Sequence, residues 1–500
     1  MSDSNIMRRD IRMIRRGRVV RLGDVSPTLT LLDYLRLVEQ ATGTKEGCAE
    51  GDCGACTVVL RRLVGDRVVY QPVNSCIALA GQADGADVIT VEDLAERDDL
   101  HPLQHEMVAH HASQCGFCTP GFVMALFALY HAPRHGDLDR AAVNDWIAGN
   151  LCRCTGYRPI VDAALAACAK APADRFRAEE PDIRKALRDL DEAVDLHVGT
   201  DERFFAAPAT IEALAALYVA HPDATLVGGA TDVGLWITKQ LRDIDKIIWL
   251  GRVRDLDAID DAEDAVTFGA TVTHEAALPY LSAIDPDLGE LMRRFAGMQV
   301  RSVGTIGGNI ANGSPIADTP PALIALGSTL TLRRGAATRT LPLEDFFIAY
   351  GKQDRSPGEL VRAVRVPKLA AHEHFRCYKI AKRFDQDISA VMGAFKITLD
   401  GSRVMSARIA FGGMAATPSR ARGAETLLCG VDLRDVATWE AALDGLAADF
   451  TPIDDQRASA AYRRAVARAL LRKALTEIAG TTSRHTRVVG IREHADASGP

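Results

Sequence analysis

Eight cysteines between residues 48 and 154 constrain the fold of this 500-residue chain more than any other feature. They fall into two groups of four, and three further cysteines, Cys168, Cys377 and Cys429, stand alone. Where thiols are kept reduced, clustered cysteines indicate metal binding or redox chemistry rather than disulfides. Each group must therefore be folded so that four thiols meet. We expect the three isolated cysteines to be small buried side chains.

The first group consists of Cys48, Cys53, Cys56 and Cys76, with the spacing C-x4-C-x2-C and a fourth cysteine nineteen residues further on. This spacing is typical of a plant-type 2Fe–2S site. Gly47, Gly51 and Gly54 surround the first three cysteines, and glycine allows a loop to wrap closely with its amides pointing at sulfur. A structural zinc site is the alternative, although zinc ligands usually arrive as two C-x2–4-C pairs rather than three from one loop.

The second group consists of two close pairs, Cys115 with Cys118 and Cys152 with Cys154. We predict that the first pair precedes a helix with Thr119 as N-cap and Pro120 as its first residue, and that the second pair follows a helix ending at Gly149. A helix N-terminus favours the negative charge of a cluster. By spacing alone zinc is a fair alternative. The neighbouring first group favours a second 2Fe–2S site, because an electron carrier beside inert zinc would have no destination.

The chain is too long for one hydrophobic core, and the pattern of its apolar, polar and charged residues changes several times along its length. We predict β-rich runs with one helical stretch, then helices, then a charged linker with some helix, then mixed α/β sequence with a break near Pro367. The predicted domains are residues 8–84, 85–169, 205–367 and 368–492, with the linker at 170–204, and residues 494–500 are expected to be a disordered tail.

Composition excludes several partners. A net charge of -7 favours neither nucleic acid nor a membrane surface. The best apolar run, Gly121 to Tyr130, is about half of the ~20 residues that a membrane span needs. Seven arginines lie between Arg8 and Arg21, but no apolar stretch follows them as an export signal requires. We interpret them as a solvated first strand with its lead-in, and expect a cytoplasmic protein.

Two glycine-bearing segments in the second half, Leu226–Gly234 and Gly304–Asp318, indicate phosphate binding. No G-x-G occurs anywhere, which excludes the Rossmann fingerprint. Paired glycines let backbone amides approach a pyrophosphate, and threonine and asparagine add side-chain hydrogen bonds. Taken singly, each segment is a weak signal and is more typical of an ordinary tight turn.

Three stretches, Thr44–Cys56, Gln114–Gly121 and Gly149–Ile160, resemble the iron–sulfur module of the molybdenum hydroxylases, a family that includes xanthine dehydrogenase, aldehyde oxidase and carbon monoxide dehydrogenase. The resemblance implies that all eight clustered cysteines bind two 2Fe–2S clusters. It also implies that the second cluster faces a molybdopterin, with Gln114 close to the pterin, and that the first passes electrons to a flavin.

The two glycine-bearing segments resemble the PCMH-type FAD domain of the same family. The resemblance implies pyrophosphate contacts at Leu226, Val227, Gly228, Gly229, Ala230, Thr231, Asp232, Val233, Thr305, Ile306, Gly307, Gly308 and Asn309. It implies further flavin contacts at Phe295, Asp318, Val361 and Lys379. The stretch Tyr378–Ala390 resembles the loop beside the isoalloxazine, which helps to decide whether NAD or oxygen accepts electrons; a solvated turn is the alternative. Tyr350 aligns with an aromatic near the nicotinamide, although a lone tyrosine is usually structural.

The expected fold class is multidomain α+β: a ferredoxin-like β-grasp domain, a helical 2Fe–2S-binding domain, a PCMH-type FAD domain and a C-terminal α+β domain. This order resembles the small subunit of bacterial xanthine dehydrogenases. Since single-chain relatives continue into a molybdenum domain where this sequence stops, at Pro500, the resemblance implies a molybdopterin-binding large subunit as partner, in an α2β2 heterotetramer.

The implied reaction is oxidation of hypoxanthine and xanthine to urate on the partner, with electrons leaving through FAD to NAD. No catalytic base or nucleophile is expected in this chain. The alternatives are the same role in an aldehyde or N-heterocycle dehydrogenase, a self-contained iron–sulfur flavoprotein reductase, and a scaffold whose cysteines bind zinc.

Overall fold

The computed structural model of the protein describes residues 7–96, 99–133, 138–170 and 172–480. The predicted disordered tail lies outside these residues. The strands are β1 (Ile11–Arg15), β2 (Arg18–Leu22), β3 (Thr57–Val64), β4 (Arg67–Asn74), β5 (Asp87–Ile89), β6 (Leu196–Gly199), β7 (Phe204–Ala207), β8 (Thr225–Val227), β9 (Lys246–Trp249), β10 (Ile259–Asp261), β11 (Ala265–Gly269), β12 (Thr329–Arg334), β13 (Ala337–Pro342), β14 (Phe347–Ala349), β15 (Lys352–Gln353), β16 (Leu360–Pro367), β17 (Glu373–Ile380), β18 (Val391–Asp400), β19 (Arg403–Gly412) and β20 (Ser419–Arg420).

The helices are α1 (Leu31–Asp33), α2 (Pro102–Ala109), α3 (Thr119–His131), α4 (Arg140–Ile147), α5 (Arg158–Cys168), α6 (Arg175–Ala178), α7 (Glu180–Leu190), α8 (Ile211–Ala220), α9 (Val233–Thr238), α10 (His274–Ile284), α11 (Pro286–Arg293), α12 (Met298–Arg301), α13 (Ile306–Asn312), α14 (Thr319–Leu326), α15 (Arg422–Leu428), α16 (Glu440–Asp449) and α17 (Ala460–Ile478). None of these described helices is long and apolar enough to cross a membrane.

The chain divides into two compact units. The first unit contains the residues up to Asp255 together with the segment Ala296–Gly304, and the second contains Leu256–Phe295 and the residues from Thr305 onward. The predicted FAD domain, residues 205–367, contributes residues to both units, and the boundaries of the four predicted domains stay predictions.

The first unit begins with a five-stranded sheet in the order β2-β1-β5-β3-β4. Strands β3 and β4 form a hairpin that closes through Gly65, whose φ of +57° suits glycine. Strand β3 is buried on both faces, which explains its run of apolar residues. Val58 and Leu60 belong to the core beneath the sheet, whereas Val59 belongs to the core of helices α2 to α5. Strand β3 therefore packs on one face against the core of the sheet next to the first cysteine group, and on the other against the helices next to the second.

Helices α6 and α7 occupy the stretch that the sequence predicts as a linker with some helix. Phe176 of α6 packs into the core of the helical region, and Leu187 of α7 packs against Ile14 of β1. A four-stranded sheet, in the order β6-β7-β9-β8, follows and completes the first unit with α8, α9 and α12.

The sequence predicts that the arginines of the N-terminal strands and their lead-in are solvated, but two of them are buried. Arg8 is 5% exposed and forms a bidentate pair with Asp84, at 2.7 and 2.5 Å. Arg15 is also buried, and its guanidinium pairs with Asp93 and Glu39. The prediction was wrong for these two because carboxylates that are distant in sequence pair with them. Such pairing makes the burial of an arginine tolerable.

The second unit holds two larger sheets and a short hairpin. The sheet β10-β11-β16-β12-β13 is antiparallel, as is the sheet β17-β18-β19-β20. Phe395, Ile409 and Phe411 of the latter pack against α15, α16 and α17. The prediction of a multidomain α+β fold is confirmed. Of the isolated cysteines, Cys168 and Cys377 are buried as expected, but Cys429, the first residue after α15, is exposed.

Candidate cofactor sites

The first cysteine group converges on the loop that precedes β3. Cys48, Cys53 and Cys56 lie on this loop, and Cys76 follows β4, so the β3–β4 hairpin returns the fourth thiol to the other three. The amide of Cys53 donates to the Cys48 sulfur at 3.3 Å. A Cβ on Gly47 would lie 2.8 Å from the Cys53 sulfur, so a glycine there leaves room for that thiol.

The four thiols of this group form a chain of pairwise contacts. Contacts with the thiols of Cys53 and Cys76 lower the pKa of Cys48. Contacts with the thiols of Cys48 and Cys56, together with burial, raise the pKa of Cys76. The contacts therefore run Cys53–Cys48–Cys76–Cys56, with Cys48 and Cys76 in the middle.

This arrangement is more typical of a binuclear cluster than of a single tetrahedral metal ion. Four thiolates on one tetrahedral zinc, at ~2.3 Å each, place every pair of sulfurs about 3.8 Å apart. Among the described residues, no three cysteine sulfurs lie within 4.8 Å of one another. Thiols in pairwise contact, in a loop lined by small residues, fit a 2Fe–2S cluster with two irons to share them.

The second group meets at the ends of helices α3, α4 and α5. Helix α3 begins at Thr119, one residue earlier than predicted, with Cys118 as its N-cap. Burial, followed by contact with the Cys152 thiol, raises the pKa of Cys118 to about 12. Contact with the Cys115 thiol raises the pKa of Cys154. The fold thus brings all four thiols together, with Cys115 and Cys154 exposed.

Two residues that sequence reasoning did not single out support this second group. The Thr155 hydroxyl donates to the Cys152 sulfur at 3.2 Å, and the Cys152 amide donates to the Tyr157 hydroxyl at 2.9 Å. Burial alone would raise the pKa of Cys152, but the hydrogen bonds from Thr155 outweigh it and lower that pKa. A thiolate at Cys152 is the form that binds metal.

The predicted pyrophosphate residues from Leu226 to Val233 belong to the first unit. Strand β8 supplies Leu226 and Val227, and the chain then turns through Gly228 and Gly229 into α9. The Gly228 carbonyl accepts hydrogen bonds from the side chains of Gln82 and Trp249. A Cβ on Gly229 would lie 2.0 Å from the Val303 carbonyl oxygen, so only glycine allows this approach. Ala230 has a φ of +61°, and Thr231 and Asp232 complete the turn.

The predicted residues from Thr305 to Asn309 belong to the second unit. Thr305 caps α13 by accepting the Gly308 amide at 3.0 Å, and Ile306 and Gly307 are buried. A Cβ on Gly307 would lie 2.6 Å from the Ala270 backbone. The Asn309 side-chain oxygen is buried and has no hydrogen-bond partner among the described residues. An unpaired buried acceptor beside a glycine-bearing turn fits a bound polar group.

The other predicted flavin contacts also lie in the second unit. Lys379 and Asp318 form an ion pair of 2.5 Å, and both side chains are almost fully buried. Ser389 joins them, accepting from the Lys379 ammonium at 3.0 Å and donating to Asp318 at 2.6 Å. Phe295 packs against His274, and Val361 is buried in β16. The sequence analysis includes Ser389 in the stretch Tyr378–Ala390 but does not predict its contacts with this ion pair.

The stretch that resembles the isoalloxazine loop joins β17 to β18. The Arg294 guanidinium donates to the Phe384 carbonyl at 2.8 Å and lies 4.4 Å from the centre of the Phe384 ring. Arg293 pairs with Asp385 at 3.2 Å. The loop is therefore held by two arginines rather than being an unsupported solvated turn. Tyr350 is 75% exposed, between β14 and β15.

A buried group with metal-binding side chains lies in the helical region, where sequence reasoning did not find it. The Nε2 atoms of His101 and His131 lie 2.7 and 2.9 Å from one oxygen of Asp174. The Leu103 amide donates to Nδ1 of His101, so Nε2 carries the proton and donates to Asp174. Burial lowers the pKa of His131, and hydrogen bonds from both imidazoles outweigh burial to lower that of Asp174. This bonding makes the group structural.

Three family models match consecutive parts of the chain. The [2Fe-2S] binding domain matches residues 90–165. The FAD binding domain in molybdopterin dehydrogenase matches residues 200–369, and the CO dehydrogenase flavoprotein C-terminal domain matches residues 376–478.

Relatives and solved structures agree with these models. The xanthine dehydrogenase of Emericella nidulans is 33% identical over 500 aligned residues, which cover 88% of this chain and 36% of the relative. Reconstituted CO dehydrogenase from Oligotropha carboxidovorans superposes with a TM-score of 0.52 at 27% identity, over 57% of this chain and 99% of the other. CO dehydrogenase from Hydrogenophaga pseudoflava, in a form lacking the Mo-pyranopterin moiety, gives 0.51 at 28% identity, over 54% of this chain and 95% of the other.

The chain therefore carries iron–sulfur and FAD-binding modules that match those of one class of oxidoreductase, the molybdenum hydroxylases. It spans about a third of the length of the curated relatives that it matches. The predictions of iron–sulfur and FAD cofactors are confirmed. The assignment of individual residues to these cofactors stays a prediction.

Proposed function

We propose that this chain is the electron-transfer part of a xanthine dehydrogenase. Electrons from a molybdenum cofactor on a partner chain pass through the Cys115 group, the Cys48 group and FAD, and leave to NAD. One observation carries the proposal: the loops of the two cysteine groups are joined by a hydrogen bond of 3.0 Å, from the Leu151 amide to the Cys53 carbonyl. The similarity to xanthine dehydrogenases supports hypoxanthine and xanthine as substrates of the partner.

The division of labour follows from the carriers. When bound, the 2Fe–2S clusters pass single electrons, and FAD collects two and exchanges them with a nicotinamide as hydride. The eight cysteines hold the clusters. The two glycine-bearing segments hold FAD, with Phe295, Val361 and the Asp318–Lys379 pair as further contacts. Partner stoichiometry α2β2 and a cytoplasmic location belong to the same proposal.

Analysis of the native complex separates this proposal from its alternatives. Molybdenum in the copurifying chain and xanthine-dependent reduction of NAD support it. Turnover of aldehydes or N-heterocycles instead of purines would assign the chain to another enzyme of the family. A complex without molybdenum that accepts electrons from NADH would be a self-contained reductase.

The cysteine assignment predicts about four irons and four sulfides per chain, as two 2Fe–2S clusters require. Two distinguishable paramagnetic signals are expected on reduction. In a Cys76→Ser variant, we expect the loss of about two irons and of one signal, because each group binds its own cluster.

Iron analysis and paramagnetic resonance of the reduced protein measure both effects. The exposed Cys429 provides the matched control, and Cys429→Ser should keep both signals. Zinc in place of iron, or loss of both signals from a folded Cys76→Ser protein, would contradict the assignment.

The flavin assignment predicts that denaturation releases FAD and that Gly308→Val lowers its occupancy. A Cβ at residue 308 would lie 2.7 Å from the Thr305 hydroxyl oxygen, so the larger side chain displaces the cap of α13 and occupies the space beside the backbone amides. The ratio of released FAD to protein measures the effect. Ala337→Val, on the exposed face of β13, adds similar bulk and should keep full occupancy. Full occupancy in a folded Gly308→Val protein argues against this placement.

A further inference from the structure

A single buried amide in the first unit contacts the loops of both cysteine groups. Gln299 is 1% exposed and lies in the short helix α12. Its side-chain nitrogen donates to the Asn150 side-chain oxygen at 2.7 Å and to the Thr57 hydroxyl oxygen at 3.1 Å. Thr57 directly follows Cys56, and Asn150 precedes Cys152 by two residues. One –NH2 group therefore joins the two loops.

The hydrogen bonds around Gln299 fix the orientation of its amide. The Thr57 hydroxyl donates to the Gly54 carbonyl at 2.6 Å, so its oxygen is free to accept from Gln299. The Asn150 side-chain nitrogen donates to the same Gly54 carbonyl at 3.1 Å, which leaves the Asn150 oxygen to accept. Both acceptors thus require a donor, and the nitrogen of Gln299 is that donor.

The two loops touch through backbone as well. Gly54, next to Cys53, has a φ of +69°, and a Cβ there would lie 2.3 Å from the Gly149 carbonyl oxygen. A Cβ on Gly149 would in turn lie 2.1 Å from the side-chain oxygen of Gln299. Backbone excludes a Cβ at Gly54, and a Cβ at Gly149 would displace the Gln299 side chain, so the two glycines allow the loops to approach closely at Gln299.

Hydrogen bonds to strand β4 of the ferredoxin-like sheet hold the segment that carries Gln299. Three residues further on, the Ser302 hydroxyl donates to the Pro72 carbonyl at 2.7 Å, and the Gln71 side chain donates to the Ser302 carbonyl at 2.5 Å. Val303 packs against the core of that sheet. The donor position of Gln299 is therefore set by β4 rather than by a flexible loop.

We propose that Gln299 is a positioning residue for electron transfer between the two clusters. It fixes the distance between the loop of Cys53 and Cys56 and the loop of Cys152, and so fixes the separation of the two carriers. This inference rests on the proposed electron path. It assigns a task to a residue far in sequence from every cysteine.

The test compares Gln299→Met with Tyr70→Phe in the full chain carrying its cofactors. Methionine keeps the length of the side chain but cannot donate. Tyr70→Phe removes one buried hydrogen bond of the same unit, from the Tyr70 hydroxyl to the Phe176 carbonyl, and does not touch the hydrogen bonds that hold Gln299. The chain is reduced with NADH, and rapid freezing followed by paramagnetic resonance records when electrons reach the cluster of the Cys115 group.

We expect both variants to keep their iron and their rate of flavin reduction. In Gln299→Met alone, transfer to the second cluster should slow severalfold, because the two loops lose the donor that joins them. The magnetic interaction between the two reduced clusters should weaken in the same variant. A merely structural role for Gln299 would leave this interaction unchanged.

Unchanged transfer and unchanged magnetic interaction in Gln299→Met would overturn the inference. If that variant does not fold, Thr57→Val removes one acceptor at similar volume, and unchanged behaviour there has the same consequence. Failure of electrons to reach the second cluster in the unmodified chain is a different outcome, since it would refute the proposed function itself.

Discussion

Replacing Cys115 with serine is expected to abolish electron transfer from xanthine to NAD in the assembled enzyme. The Cys115 group lies between the molybdenum cofactor and the first cluster in the proposed path, so its loss interrupts the only chain of carriers. Reduction of artificial dyes by NADH should be largely retained, because hydride enters at the flavin and does not need this group. Cys115 is exposed and contacts Cys154, so its replacement removes a ligand without emptying a packed core.

The two activities are measured on the same preparation, and Cys429→Ser serves as the control for loss of a thiol as such. The chain without its partner should reduce dyes with NADH and should not oxidise xanthine. Normal coupling of xanthine to NAD in the Cys115→Ser complex, or xanthine oxidation by the isolated chain, would show that the electron path is wrong.

Replacing Lys379 with methionine is expected to destabilise the second unit by about 3–5 kcal/mol, which is the usual cost of leaving one member of a buried ion pair without its partner. Asp318 and Lys379 are both almost fully buried, and Ser389 alone cannot neutralise the carboxylate. FAD occupancy should fall as well, because both residues are proposed flavin contacts. Denaturant unfolding and the ratio of FAD to protein measure the two effects.

The double variant Asp318→Asn/Lys379→Met separates charge from contact. Removing both charges leaves no unpaired ion, so most of the stability should return. FAD occupancy should stay low if these residues contact the flavin. Equal stability of the single and double variants would argue that the pair is solvated, and full FAD occupancy in the double variant would argue against flavin contact.

The cysteine groups could be predicted from the sequence because their information is local. Three cysteines of the first group lie within nine residues, and a cluster imposes its own spacing on such a loop. The residues that join the groups could not be predicted in this way. Gln299 and Asn150 are 149 positions apart, and although Asn150 lies in the stretch around Cys152, Gln299 belongs to no motif. Their contact depends on how β3, α4 and α12 pack.

The partners of other buried polar residues could not be predicted from the sequence for the same reason. Arg8 and Asp84 are 76 positions apart, and in the sequence Arg8 is one of seven arginines in a charged stretch. Ser389 gains its place from a hairpin that brings it to Lys379, ten positions away on the neighbouring strand. Pattern predicts which segment is apolar or glycine-bearing, whereas pairing across the fold decides which polar groups are buried.

The segment Ala296–Gly304 limits how the modules of this family can be recombined. Its sequence falls inside the stretch that matches the FAD domain, residues 200–369, yet it belongs to the first unit, which carries both cysteine groups. A fragment cut at the borders of that domain would present Gln299 and Ser302 to water, without the acceptors that they have in the whole chain. Exchange of an iron–sulfur module between relatives therefore has to preserve a short patch encoded more than a hundred residues downstream of the module itself.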